Sequence, residues 1–272
     1  MNLTSVLELS TPQSIAPDTK ETSAVVQAVL EGLSAKQKFL PSWLFYDPAG
    51  SRLFEAITEL PEYYLTSLEH AIFSRYGAEM IASVAGLERQ HLSVIELGAG
   101  SANKTLVLLR ALVASQGHAV YIPVDVSKAA LQWASKNVRS ALPEVEVQPI
   151  CTEITDEQPL DLPAGGRRLA LYIGSSIGNF DAADAIELLR WLRSQLQPGD
   201  ALLLGTDMVK DISPLLAAYN DKAGVTADFN KNILTRLNRE LGANFELDAF
   251  EHRAIWNAEA SRMEMHLDSK RN

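Results

Sequence analysis

Three short stretches and a set of scattered aromatic residues carry the chemistry that this sequence can offer. In VIELGAGSANKT, residues 94–105, an apolar run ends in an acid, and Gly98 and Gly100 follow. Two glycines at that spacing let the backbone turn tightly and approach a bound molecule with no Cβ in the way. A dinucleotide cradle needs a third glycine for close helix packing, and position 103 is Asn. The pyrophosphate reading is therefore the weaker one, and an adenosine ligand without pyrophosphate, such as S-adenosylmethionine, fits better. In VYIPVDVS, residues 120–127, Asp125 ends an apolar run and can accept hydrogen bonds from both ribose hydroxyls. In LYIGSSIGNFD, residues 171–181, small and polar residues follow a third such run, and Asn179 can orient a substrate amine through its carboxamide oxygen. Each feature taken singly also has a structural reading, as a plain tight turn or a helix cap. Together they favour a nucleoside site.

The aromatic residues are Tyr46, Phe54, Tyr63 and Tyr64 early in the chain and Tyr219 late. Their rings can pack against a flat ring or a cation, and their phenols can donate to a carboxylate. Core packing explains any one of them equally well.

The elements that must position these groups alternate from residue 92 onward. Strands are expected at 93–97, 119–125, 145–150, 169–174 and 201–206, with helices at 102–115, 127–141 and 182–196 capped by Ser101, Ser127 and Asp181. This rhythm predicts an α/β fold with a doubly wound parallel sheet, whose ligands bind beyond the carboxyl ends of the strands. Residues 1–20 are expected to be loose, and a helix is expected at 23–34. Asp47-Pro48-Ala49-Gly50 reads as a turn before a helix at 52–60. Thr66 and Glu69 have capping-box spacing, which predicts a helix starting near Ser67. After residue 210 the rhythm breaks into helices at 213–222 and 227–241 and strands at 247–256 and 261–268. The expected division is a cofactor-binding domain over 70–208 and a second, smaller substrate lobe made of 21–69 and 209–272.

A net charge of −10 and a pI near 5.0 repel a phosphate backbone, so nucleic acid is not an expected partner. The single cysteine, Cys151, allows no intrachain disulfide and points to a reducing compartment. The N-terminus lacks the basic and apolar regions of a signal peptide, and no run is long enough to span a bilayer. A cytoplasmic, monomeric protein without a membrane partner is expected. The five histidines are scattered, and no spacing among them suggests a metal site.

The stretches FYDPAGSRLFEAITELPEYYLTSLE, IELGAGSANKT, YIPVDVS, GSSIGNF and YNDKAGVTADFNKNILTRLNRELGANF resemble the S-adenosylmethionine-dependent histidine-specific methyltransferase family, from about residue 35 onward. The resemblance implies a Rossmann-like class I methyltransferase sheet and successive methyl transfers from S-adenosylmethionine to the α-amine of histidine. The product is the betaine hercynine, in ergothioneine biosynthesis. It implies that Tyr46, Phe54, Gly98, Lys104 and Asp125 line the cofactor site, with Asp125 on the ribose. It further implies that Asn179 and Tyr219 bind the substrate's carboxylate end, that Tyr63 lies on the imidazole side, and that Met265 lines the pocket. Tyr46, Tyr63 and Asn179 are the residues expected to act in catalysis, with Tyr46 or Tyr63 and ordered water helping the amine shed protons. Two departures stand out. Where the family has an Asp and an aromatic at the adenine, this sequence has Glu153 and Ile154. Family chains also continue past RMEMHLDS with a Glu and a Ser that read the imidazole, so those groups are expected to be missing here. The readings that compete are an N-methyltransferase of another aromatic amino acid, such as a tryptophan derivative, a silent binding module, and a nucleotide-dependent oxidoreductase.

Overall fold

The computed structural model describes residues 19–86, 91–152, 159–163 and 165–271, with side chains from Ala24 onward. Its helices are α1 (Thr19–Ser34), α2 (Pro48–Thr58), α3 (Tyr64–Ala85), α4 (Thr105–Gln116), α5 (Lys128–Ala141), α6 (Ala182–Gln195), α7 (Ile212–Tyr219) and α8 (Val225–Leu241). Its strands are β1 (Leu92–Leu97), β2 (Ala119–Asp125), β3 (Val145–Val147), β4 (Ile150–Cys151), β5 (Arg167–Tyr172), β6 (Ala201–Leu204), β7 (Phe250–Asn257) and β8 (Arg262–Ser269).

The first six strands form one parallel sheet in the order β3-β2-β1-β5-β6, with β4 continuing alongside β2 beyond β3. Strands β1 and β2 are almost wholly buried, as their near-continuous apolar sequences require of strands covered on both faces. The strand order reverses at β1, between β2 and β5, which opens a crevice at their carboxyl ends. One face of the sheet packs Leu108, Leu109 and Leu112 of α4 and Phe73 and Ile81 of α3. The other packs Leu188 and Leu192 of α6 on Ile95, Ile122 and Ala170.

The acid in the VIEL run is buried. Glu96 accepts from Thr105 Oγ1 at 2.6 Å and from the Tyr121 hydroxyl. Burial pushes its pKa up to about 7, against the lowering effect of those two bonds. Glu96 thus fastens β1 to β2 and to the start of α4 and is not itself at the ligand edge.

The remaining elements form two further apolar clusters. Val25 of α1 and Leu44 pack on Ile233, Leu234 and Leu237 of α8. Ile57 of α2, Leu65 of α3, Ala218 of α7 and Phe229 of α8 form the other, with Met265 against it. The antiparallel β7–β8 hairpin stands as a separate two-stranded sheet.

Several boundaries differ from the sequence reading. Asp47-Pro48-Ala49-Gly50 is not a free turn but the start of α2. Asp47 is its N-cap and accepts from Gly50 N at 2.7 Å, and Pro48 occupies the first helical position. Helix α3 begins at Tyr64 and not near Ser67, so Thr66 and Glu69 form no capping box. Glu69 instead turns toward the sheet, as described below. Ser127 and Asp181 cap as expected, but α4 starts at Thr105, leaving Ser101 in the preceding loop. The strand expected at 145–150 is broken at Gln148-Pro149, where proline offers no N–H to the ladder. β5 and β6 stop two residues short of the expected ends, and residues 247–249 form a 3₁₀ turn ahead of β7.

Candidate active site

The glycine loop after β1 is held by backbone geometry. Gly98 has φ 69° and Gly100 φ 50°, the left-handed region open to glycine at little cost. Gly98 N donates to Val124 O at 2.8 Å, tying the loop to β2. A Cβ at either glycine would meet no atom within 4 Å, so the space beside both is open. Asn137 of α5 pins the loop from behind, donating to Ser101 O at 2.8 Å and to Asn103 Oδ1 at 2.7 Å. The residue in the third-glycine position, Asn103, is exposed and its side chain accepts this bond. That leaves an open cradle with no pyrophosphate turn, which fits an adenosyl group.

Asp125 ends β2 beside this loop. Its carboxylate accepts from Ser127 N at 2.8 Å and from the amides of Gly100 and Val126. Burial raises its pKa and those amides lower it. The acid is fixed by main chain at the crevice with acceptor capacity left for a ribose diol.

Lys104, at the N-cap position of α4, donates to Glu69 Oε2 at 2.5 Å. The other oxygen, Glu69 Oε1, accepts from Gly174 N at 2.7 Å in the loop after β5. A Cβ on Gly205, just past β6, would lie 2.3 Å from that oxygen. One carboxylate from α3 therefore joins the ends of β1, β5 and β6. Glu55 of α2 bonds Ser101 from the opposite side, and burial raises its pKa.

The aromatic residues converge beside this edge. Tyr46 lies 5.6 Å from Phe54 between ring centroids, Phe54 lies 6.1 Å from Tyr63, and Tyr63 lies 6.4 Å from Tyr219. Phe229 of α8 sits beneath them, 4.6 Å from Phe45 and 5.9 Å from both Tyr46 and Phe54. Tyr46 is 37% exposed as a residue, yet the protein packed around its hydroxyl raises its pKa above the ordinary tyrosine value, and Tyr219, Tyr172 and Asp125 add to the effect. Burial likewise raises Tyr63, with Tyr219 and Tyr46 contributing, and carries Tyr219 to about 12. These phenols stay protonated near neutral pH, so each keeps an O–H that a bound molecule can accept from.

Met265 of β8 packs against the same cluster, on the hairpin side. Asn179 ends the short helix 176–179 after β5, is exposed, and makes no side-chain hydrogen bond among the described residues. The structure thus brings Tyr46, Phe54, Tyr63, Tyr219 and Met265 together and sets Gly98, Lys104 and Asp125 at the strand ends, with Asn179 on the neighbouring loop. Glu153 and Ile154 lie outside the described residues.

Sequence reasoning missed Glu69, Glu55 and Phe229. It also missed Asp207 and Lys210 beyond β6, where the hydroxyl of Tyr64, one of the aromatic residues singled out in the sequence, donates to Asp207 Oδ2 at 2.5 Å and Lys210 donates to Asp207 Oδ1 at 2.5 Å. Phe229 had a signal, since it lies in the long ADFNKNILTRLNREL stretch with helical periodicity. Glu69 had none, because its spacing to Thr66 mimics a cap. Among the described residues there is no cluster of His, Cys, Asp and Glu suited to a metal ion. Nor is any helix there long and apolar enough to cross a membrane.

A parallel sheet in this order, with paired positive-φ glycines after its first strand and an acid ending its second, is the frame of an S-adenosylmethionine-dependent methyltransferase. The family described as histidine-specific methyltransferase, SAM-dependent, matches residues 25–272, and the chain belongs to that family. It is 43% identical to the histidine N-alpha-methyltransferase of Mycolicibacterium smegmatis over 264 residues, covering 97% of this chain and 80% of the relative. It is 41% identical to the histidine N-alpha-methyltransferase of Mycobacterium tuberculosis, covering 90% of this chain and 74% of the relative. The ergothioneine biosynthesis protein 1 of Schizosaccharomyces pombe is 32% identical over 87% of this chain and 31% of its own length.

Proposed function

We propose that this chain transfers methyl groups from S-adenosylmethionine to the α-amine of L-histidine, successively, to give hercynine, a step of ergothioneine biosynthesis. Family membership and the two mycobacterial relatives support the reaction class and the amino acid. The structural observation that supports the reading is the line of ring contacts from Tyr46 through Phe54 and Tyr63 to Tyr219. At Tyr63 it meets the start of α3, the helix whose Glu69 is bonded to Lys104 and to Gly174 N at the strand ends.

In this reading residues 70–208 form the cofactor-binding domain and 21–69 with 209–272 the substrate lobe, with Asn179 reaching the substrate from the first and Tyr46 and Phe54 reaching the cofactor from the second. S-adenosylmethionine supplies an electrophilic methyl on a sulfonium that is already a good leaving group. Asp125 accepts from the ribose hydroxyls, the Gly98–Gly100 loop gives the backbone close approach, and Lys104 is held at the edge by Glu69. Tyr219 donates to the substrate carboxylate, and Asn179 binds the same end and orients the amine. Tyr63 and Met265 flank the imidazole side. The protein's work is alignment of a neutral amine lone pair with the methyl, and exclusion of water. A protonated phenol is no base at neutral pH, so Tyr46 and Tyr63 orient the amine and its water, and that water carries the proton away between rounds. The chain acts as a monomer in the cytoplasm.

The test is competition at equilibrium. With S-adenosylhomocysteine bound, L-histidine should bind and a tenfold excess of L-tryptophan, on the order of one RT ln 10 step, should not displace it. Displacement by tryptophan at equal concentration would transfer the reading to another aromatic amino acid.

A further inference from the structure

His252 of β7 and Asn230 of α8 lie outside the groups that touch cofactor or substrate in the reading above. Asn230 is 2% exposed. Its amide nitrogen lies 2.9 Å from His266 O in β8 and 2.9 Å from His252 Nδ1. The other ring nitrogen, His252 Nε2, lies 2.9 Å from Tyr219 O. Donor and acceptor chemistry fixes every role. The Asn230 nitrogen has only protons to give, and it gives one to the His266 carbonyl. His252 Nδ1 must therefore accept the other, which leaves the ring proton on Nε2, aimed at the Tyr219 carbonyl. That carbonyl closes α7, where a helix leaves its last acceptors unpaired. Burial lowers the pKa of His252, consistent with the neutral ring this arrangement demands.

The chain of bonds ties four elements together, and Tyr219 and Met265 ride on two of them. Tyr219 is the last residue of α7, and Met265 precedes His266 in β8. We propose that His252 and Asn230 are positioning residues for methyl transfer, holding the Tyr219 end of α7 against the β7–β8 hairpin so that the substrate side of the pocket keeps its shape. This rests on the assignment of Tyr219 to the substrate given above.

The experiment compares His252→Phe, His252→Gln and Tyr219→Phe. Steady-state KM for L-histidine is read beside the equilibrium affinity for S-adenosylhomocysteine. Gln places an amide nitrogen where Nε2 stood and can still donate to Tyr219 O, whereas Phe cannot. His252→Phe should raise KM about tenfold, in keeping with one lost buried hydrogen bond, and His252→Gln should recover most of it. Cofactor affinity should stay within about twofold in both, because the sheet edge is untouched. Tyr219→Phe should raise KM comparably. If Tyr219→Phe raises KM and His252→Phe leaves it unchanged, the positioning role is overturned and the site assignment stands. If Tyr219→Phe has no effect on KM, the assignment of Tyr219 fails first. If His252→Phe loses cofactor affinity too, it is misfolded. His252→Gln then decides: a KM near wild type supports the role and a KM raised about tenfold overturns it.

Discussion

Gly98, Gly100 and Asp125 lie within 28 consecutive residues and are held by main-chain bonds, whereas Tyr46, Tyr63, Tyr219 and Met265 come from segments that span most of the chain. The cofactor edge is a product of local structure. Strand, glycine turn and strand end dictate where the acid and the open backbone lie, and a single parallel sheet brings them together. The aromatic lobe has no such rule. Its shape depends on which faces of α2, α7, α8 and the hairpin happen to meet, and Phe229 is the side chain on which Tyr46 and Phe54 rest. One region is specified by backbone, the other by packing, and perturbations should separate them.

The largest expected effect is on the packed region. Phe229→Ala removes a 3% exposed ring stacked on Phe45 and should cost about 3–5 kcal/mol of stability, read as a lowered urea midpoint. A cost near zero would mean the lobe is held by something other than this ring.

The next prediction concerns the sheet and pH. The folded pKa of Glu96, about 7, lies above its ordinary 4.5. The stability of the neutral acid is therefore fully present below the ordinary value and is lost as pH rises through the folded one. Glu96→Gln keeps the packing without the charge. Relative to wild type, it should gain on the order of 3 kcal/mol between pH 4.5 and 7, measured by denaturant unfolding at each pH. A difference that stays flat across that window would contradict a buried, neutral Glu96.

At the cofactor edge, Asp125→Ala should weaken S-adenosylhomocysteine binding by about a hundredfold, as loss of two charge-assisted bonds would. The urea midpoint should move far less than for Phe229→Ala. The smallest effect is reserved for the joint between the regions. Glu69→Gln keeps an acceptor for Gly174 N but gives up the charge facing Lys104, and it should weaken cofactor binding by about threefold. KM for histidine should remain unchanged. An effect confined to KM would place Glu69 in the substrate lobe instead.

The same contrast explains what could be read from the sequence. The order of alternating strands and helices, the caps at Ser127 and Asp181, and the strand-end position of Asp125 follow from local patterns. The placement of α2 around Asp47 was misread, because Asp-Pro-x-Gly is both a turn signal and a helix start. Which one forms depends on Asn232 and Arg239 of α8, which donate to Asp47 from across the chain. Glu69 was misread for the same reason: its partners Lys104 and Gly174 are distant in sequence. The family resemblance supplied the aromatic residues that periodicity could not distinguish from core. It could not supply the His252–Asn230 pair, whose meaning depends on hydrogen-bond roles that exist only once four elements have met.

The most direct measurement is mass spectrometry of the products formed with S-adenosylmethionine and L-histidine over time. The account predicts histidine carrying one, then two, then three methyl groups on its α-nitrogen. No methylated histidine from protein that binds S-adenosylhomocysteine would contradict it, as would methylation at the imidazole.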